Sequence, residues 1–284
     1  MVNVIDAVLN IVKHNEFSMK LRSKSGTRVN SEGDSLEEYV ADVFADTFDL
    51  PETERLKKIQ EVFSYRGNQN NPPDIILKNG DAIEVKKIKS LKGEVALNSS
   101  PPKDHLYCDD TRISAACKKC ENWKVKDIMY VVGTVNKSNT IEHLSIVYGV
   151  DYAASRETYG TIAKIIKEGI LNIPDVEFNE ETNELGRVNK VDPLGITYLR
   201  IRGMWHIENP LKVYDYIYTP KKGKKFNMFV LINETKYESI QEESKRKLEN
   251  ELKTNLNLQM KNVEIKDPNN PARLKKAKMI TYSV

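Results

Sequence analysis

Asn71-Pro72-Pro73-Asp74-Ile75-Ile76-Leu77, then Lys78-Asn79-Gly80, then Asp81-Ala82-Ile83-Glu84-Val85-Lys86-Lys87 is the stretch from which the rest of the chain is read. Two short apolar runs flank Asn-Gly, a pair that tolerates positive φ, so a hairpin closed by a type I′ turn is expected. Side chains alternate across a strand, which sets Glu84 and Lys86 on one face and Ile83 and Val85 on the other. The hairpin carries Asp74 alongside the second strand, so two carboxylates and an ammonium converge at one edge of a sheet. Oxygen ligands such as Asp74 and Glu84 suit Mg²⁺, with the Val85 carbonyl as a third protein ligand. In such a trio Lys86 positions or deprotonates a water and stabilises negative charge growing on a phosphate. Glu-x-Lys alone carries little weight in a chain that is 30 % charged. The hairpin and its inward apolar residues give it meaning.

Outward from this hairpin, Val4, Ile5, Val8, Leu9 and Val12 keep helical spacing, and Leu36, Val40, Val43 and Phe44 form a second stripe. Ser35 and Glu38 have capping-box spacing, so that helix is expected to begin at Asp34 or Ser35. Residues 16–35 are polar and glycine-containing and read as a mobile loop. A helix is expected over Thr53–Val62 and strands over Asp127–Val135, Leu144–Val150, Tyr198–Ile201 and Asn227–Ile232. Further helices are expected near Thr158–Gly169 and Tyr237–Lys253. Mixed strands and helices over 284 residues indicate an α/β fold with a central mixed β-sheet flanked by helices. No repeat or Pro/Gly linker divides the chain. A single domain over 1–284 is expected, with a catalytic core at about 30–170 and a C-terminal elaboration at about 171–284.

Composition removes several classes. Mean hydropathy is −0.54, and no apolar run approaches the ~18 residues of a membrane span. The N-terminus has no basic leader, and Asp6 interrupts its apolar run, so no secretory signal is expected. Three cysteines make no disulfide framework and suit a reducing cytoplasm. Forty-four Lys+Arg against 41 Asp+Glu leave +3, which names no partner. The basic clusters at 221–225 and 273–278 read first as solvated faces.

Pro73-Asp74, nine intervening residues and Glu84-Val85-Lys86 resemble the PD-(D/E)xK nuclease superfamily. The runs at 33–40, 94–103, 113–117, 126–133 and 199–210 (LeuArgIleArgGlyMetTrpHisIleGluAsnPro) resemble those of NgoPII-type type II restriction endonucleases, so the likeness spans nearly the whole chain. It implies a restriction-endonuclease-like core and a homodimeric, Mg²⁺-dependent enzyme with one or two ions per site. Such an enzyme cuts double-stranded DNA at a short palindrome, GGCC for the namesake, leaving 5′-phosphate and 3′-hydroxyl ends. A DNA methyltransferase is the implied companion in the same cell. Carried over by position, Asp74 and Glu84 become metal ligands and Lys86 the catalytic lysine. The preceding helix often supplies another acid in this superfamily, for which Glu38 is chosen and Glu37, one residue out of phase, is the alternative.

Arg200 and Arg202 share a strand face and have the fork that reads guanine O6 and N7; ion pairing with nearby acids is their other use. Asn98, Ser99 and Ser100 follow the hairpin and can donate to bases or phosphates. Lys87, Lys103, Lys118 and Lys119 are candidates for phosphate contact alone. His105, Cys108, Cys117 and Cys120 have zinc-compatible types, but the two pairs are cramped; unliganded buried cysteines are expected instead. Two competing functions remain open. One is a structure-specific repair or recombination nuclease of the same fold, which would give no discrete plasmid fragments. The other is a non-catalytic DNA-binding protein, which would bind in Mg²⁺ without nicking.

Overall fold

The first apolar stripe becomes α1 (Val4–His14), where Asn3 accepts from the Ile5 and Asp6 N–H groups and Asp6 returns a bond to Asn3, a full capping box. In this computed structural model the residues described are 1–19, 32–68, 71–173, 177–178 and 184–284, with backbone alone for 32–35, 68 and 177–178. The second stripe becomes α2 (Glu32–Ala45), which starts before Ser35, so the expected capping box is not at its N-terminus. Most of the expected 16–35 loop lies outside the described residues. Its first part is anchored: Phe17 and Met19 are buried, and Ser18 bridges to Thr140.

Next come α3 (Glu52–Val62), β1 (Phe63–Asn68), β2 (Asn71–Leu77), β3 (Ala82–Ile88), β4 (Val95–Asn98), β5 (His105–Tyr107), α4 (Ala115–Lys119), β6 (Val125–Val135) and β7 (Ile141–Tyr148). After them lie α5 (Gly149–Tyr152), α6 (Arg156–Leu171), β8 (Glu177–Phe178), β9 (Gly186–Asn189), β10 (Leu199–Ile201), β11 (Trp205–Ile207) and α7 (Pro210–Val213). The chain ends in β12 (Asn227–Asn233), α8 (Glu234–Ser239), α9 (Glu242–Thr254), β13 (Leu258–Asp267) and β14 (Asn270–Ser283).

The main sheet has nine strands in the order β1-β2-β3-β6-β7-β12-β14-β13, with β5 paired to the end of β6. The β3–β6 and β7–β12 pairs are parallel and the others antiparallel, so the sheet is mixed as expected. Both faces are covered. Ile75, Ile83, Val85, Met129, Val131 and Val230 pack with α1 and α2 on one face. Ile76, Ala82, Ile128, Tyr130, Val132 and Leu231 face Tyr152, Tyr214 and Leu97 on the other. No helix among the described residues is long and apolar enough to cross a membrane.

Three local expectations change. The hairpin turn is closed by Gly80 N–H to the Leu77 carbonyl, and Asn79 takes a positive φ of 57° while Gly80 does not, so it is not type I′. Tyr237–Lys253 is two helices, broken where Ile240 turns into the core. Strands β12, β13 and β14 belong to the main sheet. Outside the main sheet lie the small sheets β10-β9-β8 and β11-β4, while Tyr214 and Phe226 pack in the cores against the main sheet.

Candidate active site

Strand β3 is an interior strand, hydrogen-bonded to β2 on one side and β6 on the other, and not the rim of a free ribbon. Ile75 pairs with Ile83 and Ile76 with Ala82; continuing that register sets Asp74 opposite Glu84. Ile83 and Val85 are in the core on the helical face, so Asp74, Glu84 and Lys86 share the other face, as alternation requires.

There the three side chains meet. Lys86 Nζ lies 2.6 Å from Glu84 Oε1 and 3.7 Å from Asp74 Oδ2. Asp74 Oδ2 also accepts from the Val85 N–H at 2.6 Å. Burial, and then Glu84 beside it, push the Asp74 carboxyl well above the usual range, against the pull of Lys86. Burial works against the Lys86 charge, but Glu84 and Asp74 outweigh it and hold its ammonium above the ordinary lysine value. Glu84 Oε2 is buried and has no hydrogen-bond partner. A buried carboxylate oxygen without a donor, facing a second carboxylate across a strand pair, is costly unless a cation lies between them. The donor set therefore fits a hard divalent cation on Asp74 and Glu84, with the Val85 carbonyl next to Glu84 in sequence.

The trio opens into a cleft of about 710 Å³ whose wall includes Asn71, Asn98, Ser99, Ser100, Arg112, Arg202 and Trp205. Asn98, at φ 53°, pairs with Trp205 across the β4–β11 ribbon, which roofs this end of the sheet. Ser100 Oγ is buried there without a partner. Asn98, Ser99, Ser100 and Arg202 are thus brought to the trio.

Other expected residues are not. Glu38 is turned away, with Oε2 at 2.5 Å from Arg55 Nη2 and Oε1 at 2.7 Å from Arg66 Nη2. The carboxylate whose field reaches both Asp74 and Lys86 is Glu37, one step round α2. Arg200 gives Nε to Glu184 Oε2 at 3.0 Å and Nη2 to Oε1, so the fork expected to read guanine is occupied. Arg202 gives only Nε to the same Glu184, at 2.6 Å, and its terminal nitrogens have no partner among the described residues. Lys87 lies on the helical face by alternation, with a partner of its own. Lys103 is 7 % exposed and paired with Asp110, so it is not free for phosphate. Lys118 is half-buried and Lys119 exposed, and neither lines the cleft.

Of the three cysteines, Cys108 and Cys120 are half-buried. Cys117 is fully buried, and burial pushes its thiol up to about 12. The His105 ring engages Asp104 at 3.2 Å and Asp127 at 3.6 Å. Among the described residues no group of three or more His, Cys, Asp and Glu side chains is placed to hold a metal. Sequence reasoning missed Arg112, which lines the cleft and whose side chain makes no hydrogen bond or ion pair among the described residues. Its only sequence signal was its place just ahead of the run at 113–117.

Comparison with known proteins agrees with this geometry. The model of the NgoPII restriction endonuclease family matches residues 2–266. The chain is 50 % identical over 280 residues to the type II restriction enzyme NgoPII of Neisseria gonorrhoeae, covering 99 % of each. No solved structure matches. With a family model over nearly its whole length and an enzyme relative at half identity, the chain belongs to the NgoPII restriction endonuclease family and is a type II restriction enzyme.

Proposed function

We propose that this enzyme hydrolyses double-stranded DNA at a short palindrome, GGCC by likeness to its family, using Mg²⁺ held by Asp74, Glu84 and the Val85 carbonyl. The observation that carries the reading is the buried Glu84 Oε2, without a hydrogen-bond partner, beside Asp74 in the wall of a cleft of about 710 Å³. Bound there, Mg²⁺ supplies positive charge against the oxygens of the scissile phosphate. Hydrolysis adds a water oxygen to phosphorus and breaks the P–O3′ bond; the 3′ oxygen takes up a proton, leaving 5′-phosphate and 3′-hydroxyl ends. Lys86, held charged by two carboxylates, donates to the attacking water or to the phosphate oxygen on which charge builds. Glu37 adds negative potential from α2.

Arg112 and Ser100 line the cleft with free donors and serve the backbone phosphates. Arg202, whose terminal fork is open, reads guanine, while Glu184 and Arg200 brace it. The whole chain acts as one endonuclease unit, as a homodimer in the cytoplasm, with a methyltransferase protecting the same sequence. Plasmid digestion tests the reading: wild type gives discrete fragments in Mg²⁺, and mapping their ends gives the site. Asp74→Ala and Lys86→Ala leave the far-UV circular dichroism unchanged and cut on the order of 10³-fold more slowly or not at all. Cleavage by either variant at the wild-type rate removes the assignment.

A further inference from the structure

Beside the catalytic cleft lies a second cavity of about 270 Å³, which shares Thr111, Arg112 and Trp205 with it. Its apolar walls are Pro101, Pro102, Tyr107, Tyr159 and Trp205. Tyr159 meets Trp205 edge-on at 5.5 Å, and Arg156 covers a face of Tyr107 at 4.5 Å. At about 30 Å³ for each water the cavity has the volume of about nine, enough for one flat nucleobase. Among its acids a single oxygen lacks a partner. Asp110 takes Lys103 and the Arg112 N–H, and Asp109 Oδ1 accepts from Arg156 Nη1 at 2.9 Å. Asp104 Oδ2 accepts from the Tyr107 hydroxyl and engages His105 Nδ1, each at 3.2 Å. Asp104 Oδ1 is buried and has no hydrogen-bond partner. Although burial works the other way, His105 holds this carboxyl below the usual range, so it is charged at neutral pH. A charged acceptor buried without a donor is costly, and a ligand N–H removes that cost.

We propose that this cavity receives one cytosine of the bound site, turned out of the duplex, with its N4 amino group donating to Asp104 Oδ1. The proposal rests on the nuclease reading above, because the cavity adjoins a cleft that has to hold DNA. Carboxylates accept from cytosine N4, and a base taken out of its stack regains contact on aromatic side chains. The open oxygen also selects the base. Cytosine brings one amino donor to it, whereas the pairing edge of guanine brings two donors, N1–H and N2, to the same single acceptor. Arg112 stands at the border of the two cavities with no side-chain partner among the described residues, and it suits the phosphate of the displaced nucleotide.

Fluorescence tests it, on duplexes that carry the mapped site with a non-hydrolysable linkage and pyrrolocytosine at each cytosine in turn. Pyrrolocytosine brightens when it leaves the base stack. Wild-type protein is expected to raise its emission at least about twofold at one cytosine. Two variants attack the cavity differently. Gly160→Phe places a ring in it, and a Cβ at Gly160 meets nothing within 4 Å, so the fold is kept. Asp104→Asn keeps the shape; its amide oxygen stays on Tyr107, which sets an N–H donor where the cytosine amino group needs an acceptor. Each variant is expected to bind the duplex with an unchanged circular dichroism spectrum and to lose the rise in emission. On cleavable DNA each cuts at least about tenfold more slowly than wild type. If wild type binds and cuts but brightens no cytosine, the cavity holds water only; the proposal is overturned and the nuclease reading stands. A rise undiminished in either variant overturns the proposal as well. A wild type that never cuts in Mg²⁺ removes the nuclease reading, and the proposal with it.

Discussion

Between Glu37 and Glu38 the deciding variable is a rotation of about 100° around one helix. Leu36 settles it: its side chain packs within 3.1 Å of the position a Cβ would take at Gly133, in the middle of the sheet. Glu37 is near enough for its charge to act on Asp74 and Lys86, while Glu38 goes to Arg55 and Arg66. Although burial works the other way, the two guanidinium groups hold Glu38 below the usual carboxylate range. Glu38→Gln is expected to lower stability by about 1–3 kcal/mol and to leave cleavage within a few-fold of wild type. Glu37→Gln is expected to keep stability and lose about 10–100-fold in cleavage, the usual effect of an outer carboxylate beside a metal site. Denaturant melts paired with digestion rates separate the two, and the opposite pattern returns Glu38 to the site. Likewise Arg202→Lys is expected to relax discrimination at one guanine by about 1–3 kcal/mol, measured as the ratio of cognate to near-cognate cleavage, with Arg200→Lys doing less.

Elements are held in place by charge networks as well as by apolar packing. Arg55 of α3 is 2 % exposed and bridges Asp42 and Glu38 of α2, with Nε 2.6 Å from Asp42 Oδ1. Arg55→Met leaves Asp42 charged and buried, and a loss of about 3–5 kcal/mol is expected in urea unfolding. On β5, Asp104 above all, and then Asp127, hold the His105 imidazole above its ordinary value, although burial opposes this. The stabilisation this gives is complete below the unfolded value of about 6.5 and is lost as pH rises through the raised folded value. The Tm difference between wild type and His105→Gln should therefore be larger at pH 5.5 than at pH 8.5. A difference that grows toward high pH contradicts the pairing.

The same scale shows why some elements were readable in advance. Strands β2 and β3 are short apolar runs buried on both faces and joined through Asn-Gly, which marked the turn although not its type. Strands β13 and β14 were not read, because charged residues interrupt their apolar positions: Lys261, Glu264 and Lys266 on one, Arg273, Lys275 and Lys276 on the other. They pair over their full length, and β14 is placed by β12 and by the contact of Lys275 with the buried Asp151. Strand β12 and Asp151 are both distant from β14 in sequence. Gly149 is similar. A Cβ there would stand 2.3 Å from the Lys103 carbonyl oxygen, so Gly149→Ala is expected to destabilise by about 1–3 kcal/mol, a constraint visible only once β6, β7 and the 101–104 loop are assembled.

For the whole molecule, the sheet's function is to hold three side chains from two strands within a few ångströms of one another. The carboxylates of Asp74 and Glu84 would repel in an empty protein, and nine strands covered on both faces give them no room to separate. The trio was legible from seventeen consecutive residues because alternation and the hairpin fix it locally. The cleft was not, since Arg112, Ser100, Trp205 and Glu184 reach it from four separate segments. The ion-pair alternative for Arg200 and Arg202 depended on a glutamate that no strand-spacing argument could supply.

The most direct test is Mn²⁺ binding by calorimetry, with wild type, Asp74→Asn and Glu84→Gln each held on a duplex carrying the mapped site with a non-hydrolysable linkage. The account predicts stoichiometric uptake by wild type and affinity weakened at least about tenfold in each variant. Equal affinity in all three proteins contradicts it.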